Sequence, residues 1–139
     1  MKRNRNKLAI TLFPAALGMA LLLPSVAFAN PASKEVASAL QRADSAAHAK
    51  NIKDVHMHLR DAINCLVGPN GYGFDSKASN PCKSLGNGAI PDTQSMANKR
   101  VLQAAVQEAQ LGVKESNLKS AHTDASIAAR MLKRNGKES

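Results

Sequence analysis

Residues 52–67 read IKDVHMHLRDAINCLV and are followed at once by Gly68 and Pro69. Val55, Leu59, Ala62, Ile63 and Leu66 recur in steps of three and four, which places them on one face of a helix. Asn51, followed three residues on by Asp54, forms a capping box with short side chains, able to satisfy amides that a first helical turn leaves free. Gly68-Pro69 cannot continue the helix. The stretch therefore predicts a helix with one apolar stripe, which needs partners.

The flanks supply them. On the N-terminal side, Val36, Leu40, Ala43 and Ala47 predict a helix from about Lys34 to Ala49, with Ser33 as N-cap and Glu35 in the first turn. On the C-terminal side, Val101, Leu102, Ala105, Val106 and Ala109 predict a third helix, from an Asp92 N-cap to about Leu111, ended by Gly112. Leu118, Ala121, Ala125, Ala128 and Leu132 form a heptad-like seam for a fourth, beginning after Ser116 or Asn117 and ending near Lys133. Short polar breaks join the helices in pairs, and His58-x-x-x-Ala62-Ile63 is echoed by His122-x-x-x-Ser126-Ile127. The expected fold is all-α: an antiparallel four-helix bundle of two helical hairpins. A tetratricopeptide-like pair of hairpins ranks second, since its Trp, Gly and Tyr pattern is missing.

Between the hairpins, Gly68 to Pro91 is rich in turn formers. A free loop of that length is unusual in a compact domain. Cys65 and Cys82, the two cysteines of the chain, supply a restraint. A Cys65–Cys82 disulfide would close a loop of about 17 residues, worth roughly 3 kcal/mol in chain entropy. The spacing is not C-x-x-C, so a thiolate metal site or a redox pair is less favoured.

That disulfide presupposes an oxidising compartment. Lys2, Arg3, Arg5 and Lys7 precede an apolar run from Leu8 to Ala29, which ends in Ala27-Phe28-Ala29 before Asn30. A basic n-region, an apolar h-region and an A-x-A site define a cleavable signal peptide over residues 1–29. Pro14 and Pro24 interrupt the run and argue against an uncleaved anchor. The expected organisation is a signal peptide at 1–29, a helical domain at 30–133 and a flexible tail at 134–139. The expected location is periplasmic or secreted, with no membrane span after cleavage. Losing four basic residues would leave a net charge of about +5. Those charges look interspersed rather than concentrated in a nucleic-acid-binding stripe. They suit weak attraction to an anionic envelope surface, and no nucleic-acid partner is expected.

Four histidines, His48, His56, His58 and His122, are the residues best suited to chemistry. Imidazole is a good ligand for copper, zinc and nickel. Antiparallel hairpins bring the ends carrying His48, His56, His58 and His122 near one another, with Asp44 four residues before His48 as a co-ligand or acceptor. Against this, His56 and His58 point about 200° apart on a helix, and no H-x-x-x-H or H-E-x-x-H pair occurs. Surface histidines with no ligand are the plain alternative. Tyr72 and Phe74 are the other candidates. They read either as an apolar plug over the end of the bundle or as a partner-contacting loop. The Gly-x-Gly spacing around Tyr72 follows a helix and lacks the Lys-Ser/Thr of a phosphate loop, so no nucleotide is expected. There is no G-x-S-x-G, no carboxylate pair and no C-x-x-C-H, which argues against an enzyme and against covalent haem.

The helices resemble those of small exported bacterial metal-binding proteins, which are histidine-rich antiparallel bundles. The matching residues are Ala43, Ala47-His48-Ala49, His58 with Ala62, and Ala121-His122 with Ala125. That family carries more histidine, no cysteine pair and no Gly-Pro loop. The resemblance implies His48, His58 and His122 as ligands. Two functions thus stand: a non-enzymatic exported protein that binds a copper, zinc or nickel ion weakly for buffering or delivery, or an envelope interaction module that holds a protein partner with its disulfide-tied loop.

Overall fold

A computed structural model describes residues 30–138, and among these it is all-helical. Four long helices, α1 (Pro31–Ala47), α2 (Ile52–Val67), α4 (Met96–Lys114) and α5 (Leu118–Glu138), are joined by a one-turn α3 (Ala89–Asp92). The expected signal peptide lies outside the described residues.

The helix ends show where local chemistry outranks apolar period. α1 begins before the expected Lys34, because Asn30 rather than Ser33 is the cap. Its Oδ1 accepts from the Ser33 amide at 2.8 Å. Pro31 then sits where its missing N–H is harmless and its fixed φ suits a helix. α2 has the expected cap: Asn51 Oδ1 accepts from the Asp54 amide at 2.9 Å. Asp92 is not the cap of α4. It closes α3, and Ser95 takes the role, with Oγ accepting from the Asn98 amide at 3.2 Å. Gly112 does not stop α4, which runs on to Lys114. Gly112 is buried, and a Cβ there would lie 2.6 Å from Leu59 Cδ1, so this glycine marks a close helix approach. α5, capped by Asn117 Oδ1 on the Lys119 and Ser120 amides, passes the expected end at Lys133. Asn135 is only 2% exposed, and its Nδ2 donates to the Asn98 carbonyl at 3.4 Å, so α4 holds this last stretch.

α1 packs on α2 and α5, and α4 packs on α5 and α2. Leu59, Leu66, Leu102 and Leu132 fill the centre, each essentially sealed from solvent. Burial of each is worth about 2 kcal/mol. Ala39, Ala43, Ala105, Ala121 and Ala125 line the seams at zero exposure, so the helices approach closely. Among the described residues no helix is long and apolar enough to cross a membrane.

The connection after α2 is tied back to it at several points. Cys65 and Cys82 form a disulfide with S–S 2.04 Å, as expected from the sequence. Next to it, Asn64 is fully buried. Its Nδ2 donates to the Asp75 and Ser79 carbonyls at 2.9 and 3.0 Å, and its Oδ1 accepts from the Asp75 amide at 2.8 Å. A carboxamide thus does for this segment what a sheet ladder does for a strand. Gly68 and Gly88, at φ 69° and 114°, pass with their backbones in contact. A Cβ on Gly68 would land on the Asn87 carbonyl.

Candidate functional site: a cleft beside the tied connection

The backbone crossing at Gly68 and Gly88 leaves a cleft of about 900 Å³ between the connection and α4. Val67, Ile90, Pro91 and Val106 make its apolar surface. Asn70 and Asn87 project from the connection; Gln103, Gln107 and Gln110 project from α4 at i, i+4 and i+7, one face of that helix. Lys99 is the one lining side chain with a formal charge. The chemistry is neutral: carboxamides that both donate and accept, above an apolar surface.

Tyr72 stands at the rim, 96% exposed. The turn that carries it is ordered by Gly71 N–H donating to the Gly68 carbonyl at 3.0 Å and Phe74 N–H donating to the Gly71 carbonyl at 3.2 Å. Phe74 is half-buried and packs against the core. The two aromatics therefore divide the roles considered for them: Phe74 is packed in, and Tyr72 is presented.

Two carboxylates hold the back of the cleft. Asp92 accepts from the Asn87 amide at 2.9 Å and from Asn87 Nδ2 at 3.2 Å. Glu35, at zero exposure, accepts the Gly88 amide on Oε1 at 2.8 Å, while its Oε2 has no hydrogen-bond partner. Burial pushes the Glu35 carboxyl up to about 7; the Gly88 amide opposes the rise and the charge of Asp92 adds to it. Glu35 was expected as a first-turn acid facing the helix dipole. Its real partner lies 53 residues away.

The histidines lie elsewhere. His48 Nδ1 donates to the Asp44 carbonyl at 2.8 Å and lies 3.8 Å from Asp44 Oδ1. His56 Nε2 donates to the Glu115 carbonyl at 2.9 Å, and His122 Nε2 to the Ala49 carbonyl at 2.8 Å. A carbonyl only accepts, so each of these ring nitrogens carries the proton. His48 and His122 share a groove between α1 and α5 with Asp44. His56 and His58 do not line it. Among the described residues no three His, Cys, Asp or Glu side chains form a group able to hold a metal ion.

His58 belongs to a different cluster on α1 and α2. Asp61, only 4% exposed, lies 3.9 Å from Arg42. Burial raises its pKa, against the charges of Arg42 and His58 and the Ser79 amide. Arg42 Nε, His58 Nδ1 and Asp61 Oδ1 are buried without hydrogen-bond partners. Sequence reading missed this cluster, together with Glu35, Asn64 and the glutamine row. The glutamine row had a signal, since Gln103, Gln107 and Gln110 share one face at helical spacing. Glu35 and Asn64 had none, because their partners are remote backbone groups.

Fold and cleft together define a class: a disulfide-tied helical domain with a neutral, amide-lined cleft and a presented tyrosine. Comparison with protein-family models, curated proteins and solved structures finds no match to this chain.

Proposed function

We propose that this chain is an exported antiparallel four-helix bundle that acts as a protein-interaction module, holding an uncharged, extended polypeptide segment of an envelope partner in the cleft beside its disulfide-tied loop. The observation that carries the reading is the full exposure of Tyr72 on an ordered turn above a row of carboxamides. A tyrosine, with only two side-chain torsions, offers large contact area at low entropic loss, and such residues concentrate binding energy. Carboxamides on both walls match the alternating N–H and C=O of an extended backbone, whereas a charged ligand would meet only Lys99. No covalent chemistry is assigned to the cleft.

The test is a photo-crosslinking amino acid placed at Tyr72 or Gln107 in expressing cells, with Thr123 on the far helix as control. A discrete adduct from both cleft positions, absent at Thr123, supports the reading; equal adducts at all three sites would sink it. The rival reading, weak binding of copper, zinc or nickel, rests on His48 and His122 sharing a groove with Asp44. His48→Ala with His122→Ala should then abolish copper uptake without touching the crosslink.

A further inference from the structure

Arg130, Lys133, Arg134 and Lys137 look interspersed in the chain. On α5 they fall at i, i+3, i+4 and i+7, a single face, and all four are exposed. Half-buried Ile127 and Met131 lie among them in a shallow depression of about 430 Å³. The ion pairs among the described residues join Arg42 to Asp61, His48 to Asp44 and Arg60 to Asp75, so none of the four cations is paired. Lys34 and Arg100 are exposed at the same end of the molecule, where α1 and α4 begin. Asn135 bonding to Asn98 and Gly136 lying beside Val36 place that end. The helix dipole favours cations in a last turn; Arg130 lies roughly two turns before the end of α5.

We propose that this face of α5 docks on an anionic lipid bilayer. The charge pattern suits an anionic partner, and the composition favours lipid. Lys and Arg stems lie along apolar surface while their charged ends reach phosphate. Ile127 and Met131 then sit between headgroups, where an amphipathic helix buries its apolar side. A nucleic acid would satisfy the cations and leave the apolar pair uncovered. The binding is peripheral, driven by charge, and leaves the amide cleft free.

The experiment is co-sedimentation of the whole protein with vesicles of equal parts phosphatidylglycerol and phosphatidylcholine, against vesicles of phosphatidylcholine alone. Wild type and variants carry the same N-terminus, so residues 1–29 affect both equally. Wild type should prefer the anionic vesicles, and the preference should shrink as salt is raised. Arg130→Gln with Lys133→Gln should weaken it about fivefold per charge, and the variant with Arg134→Gln and Lys137→Gln added should bring it down to the preference that a peptide of residues 1–29 shows by itself. The control variant neutralises Lys50, Lys53 and Lys114, three exposed cations at the opposite end, and should keep the preference. An equal loss in the control would overturn the proposal, as net charge alone would then be acting. So would equal binding to both vesicles. Binding to a duplex oligonucleotide that the α5 variant abolishes, with no vesicle preference, would replace lipid by nucleic acid.

Discussion

The packed helix pairs and the connection between them are built on opposite principles. α1 with α2 and α4 with α5 hold together through apolar seams, where any one methyl matters modestly and the spacing of many decides the arrangement. The 68–88 connection buries Cys82 and packs Phe74 and Leu85 on the core, but most of its residues are polar or glycine. It is held by a disulfide, by the three hydrogen bonds of Asn64, and by the carboxylates of Glu35 and Asp92. Apolar packing is non-directional and tolerates change of similar volume. Buried polar contacts are directional, and a lost partner leaves a desolvated group. The connection is therefore the part of the molecule where single atoms decide the structure, and the candidate cleft opens beside it.

The largest effect expected from breaking either side is in the seams. Leu59→Ala, at the Gly112 contact, should lower the unfolding free energy by about 4 kcal/mol, read by urea denaturation. Replacing Cys65 and Cys82 together by Ala should cost about 3 kcal/mol through the freed unfolded chain. The comparison sharpens in where the damage falls. Hydrogen exchange in the disulfide variant should rise first in 68–88 and leave α4 and α5 protected, whereas Leu59→Ala should raise exchange throughout the helices. Uniform exchange in both variants would mean that connection and helix pairs form one cooperative unit.

Glu35 is the next contrast, and its effect depends on pH. The carboxyl ionises from its ordinary 4.5 in the unfolded chain and about 7 in the folded one. Between those values the unfolded chain has released a proton that the folded one keeps, so stability falls as pH rises through that window. The fall is complete about one pH unit above the folded-state value. Burial raises Asp61 as well, adding a slope of the same sign. Glu35→Gln keeps an acceptor for the Gly88 amide and carries no charge. It should flatten the pH dependence and be the more stable protein above pH 7; a variant that keeps the full slope would locate the titration elsewhere.

What could be read in the sequence follows the same division. The residues of all four long helices were legible because Val55, Leu59, Ala62 and their counterparts repeat at the helical period, and period is a property of neighbours in the chain. Helix ends were less so. Asp92 and Ser95 are both good caps, and the choice between them is made by Asn87, to which Asp92 is already bonded. Gly112 reads as a stop and is a contact point, because what decides its role is Leu59 on another helix. The disulfide was legible from two cysteines and from the export expected of residues 1–29. The cleft was not, since it exists only after Gly68 and Gly88 cross, and its glutamines look like ordinary polar helix surface until the opposite wall is present.

The smallest expected effect on stability is at the residue expected to matter most for binding. Tyr72 is 96% exposed. Tyr72→Ala should therefore change the unfolding free energy by less than about 0.5 kcal/mol, as surface substitutions do. Phe74→Ala, two residues away and packed on the core, should cost about 3 kcal/mol or somewhat less for its partial exposure. If the cleft holds a partner, the order reverses in binding: Tyr72→Ala abolishes the Gln107 crosslink in a protein of unchanged melting temperature. Phe74→Ala should weaken that crosslink only in proportion to the fraction unfolded. Should the Gln107 crosslink survive Tyr72→Ala, the exposed ring would be surface without function, and the amide row alone would have to account for whatever the cleft holds.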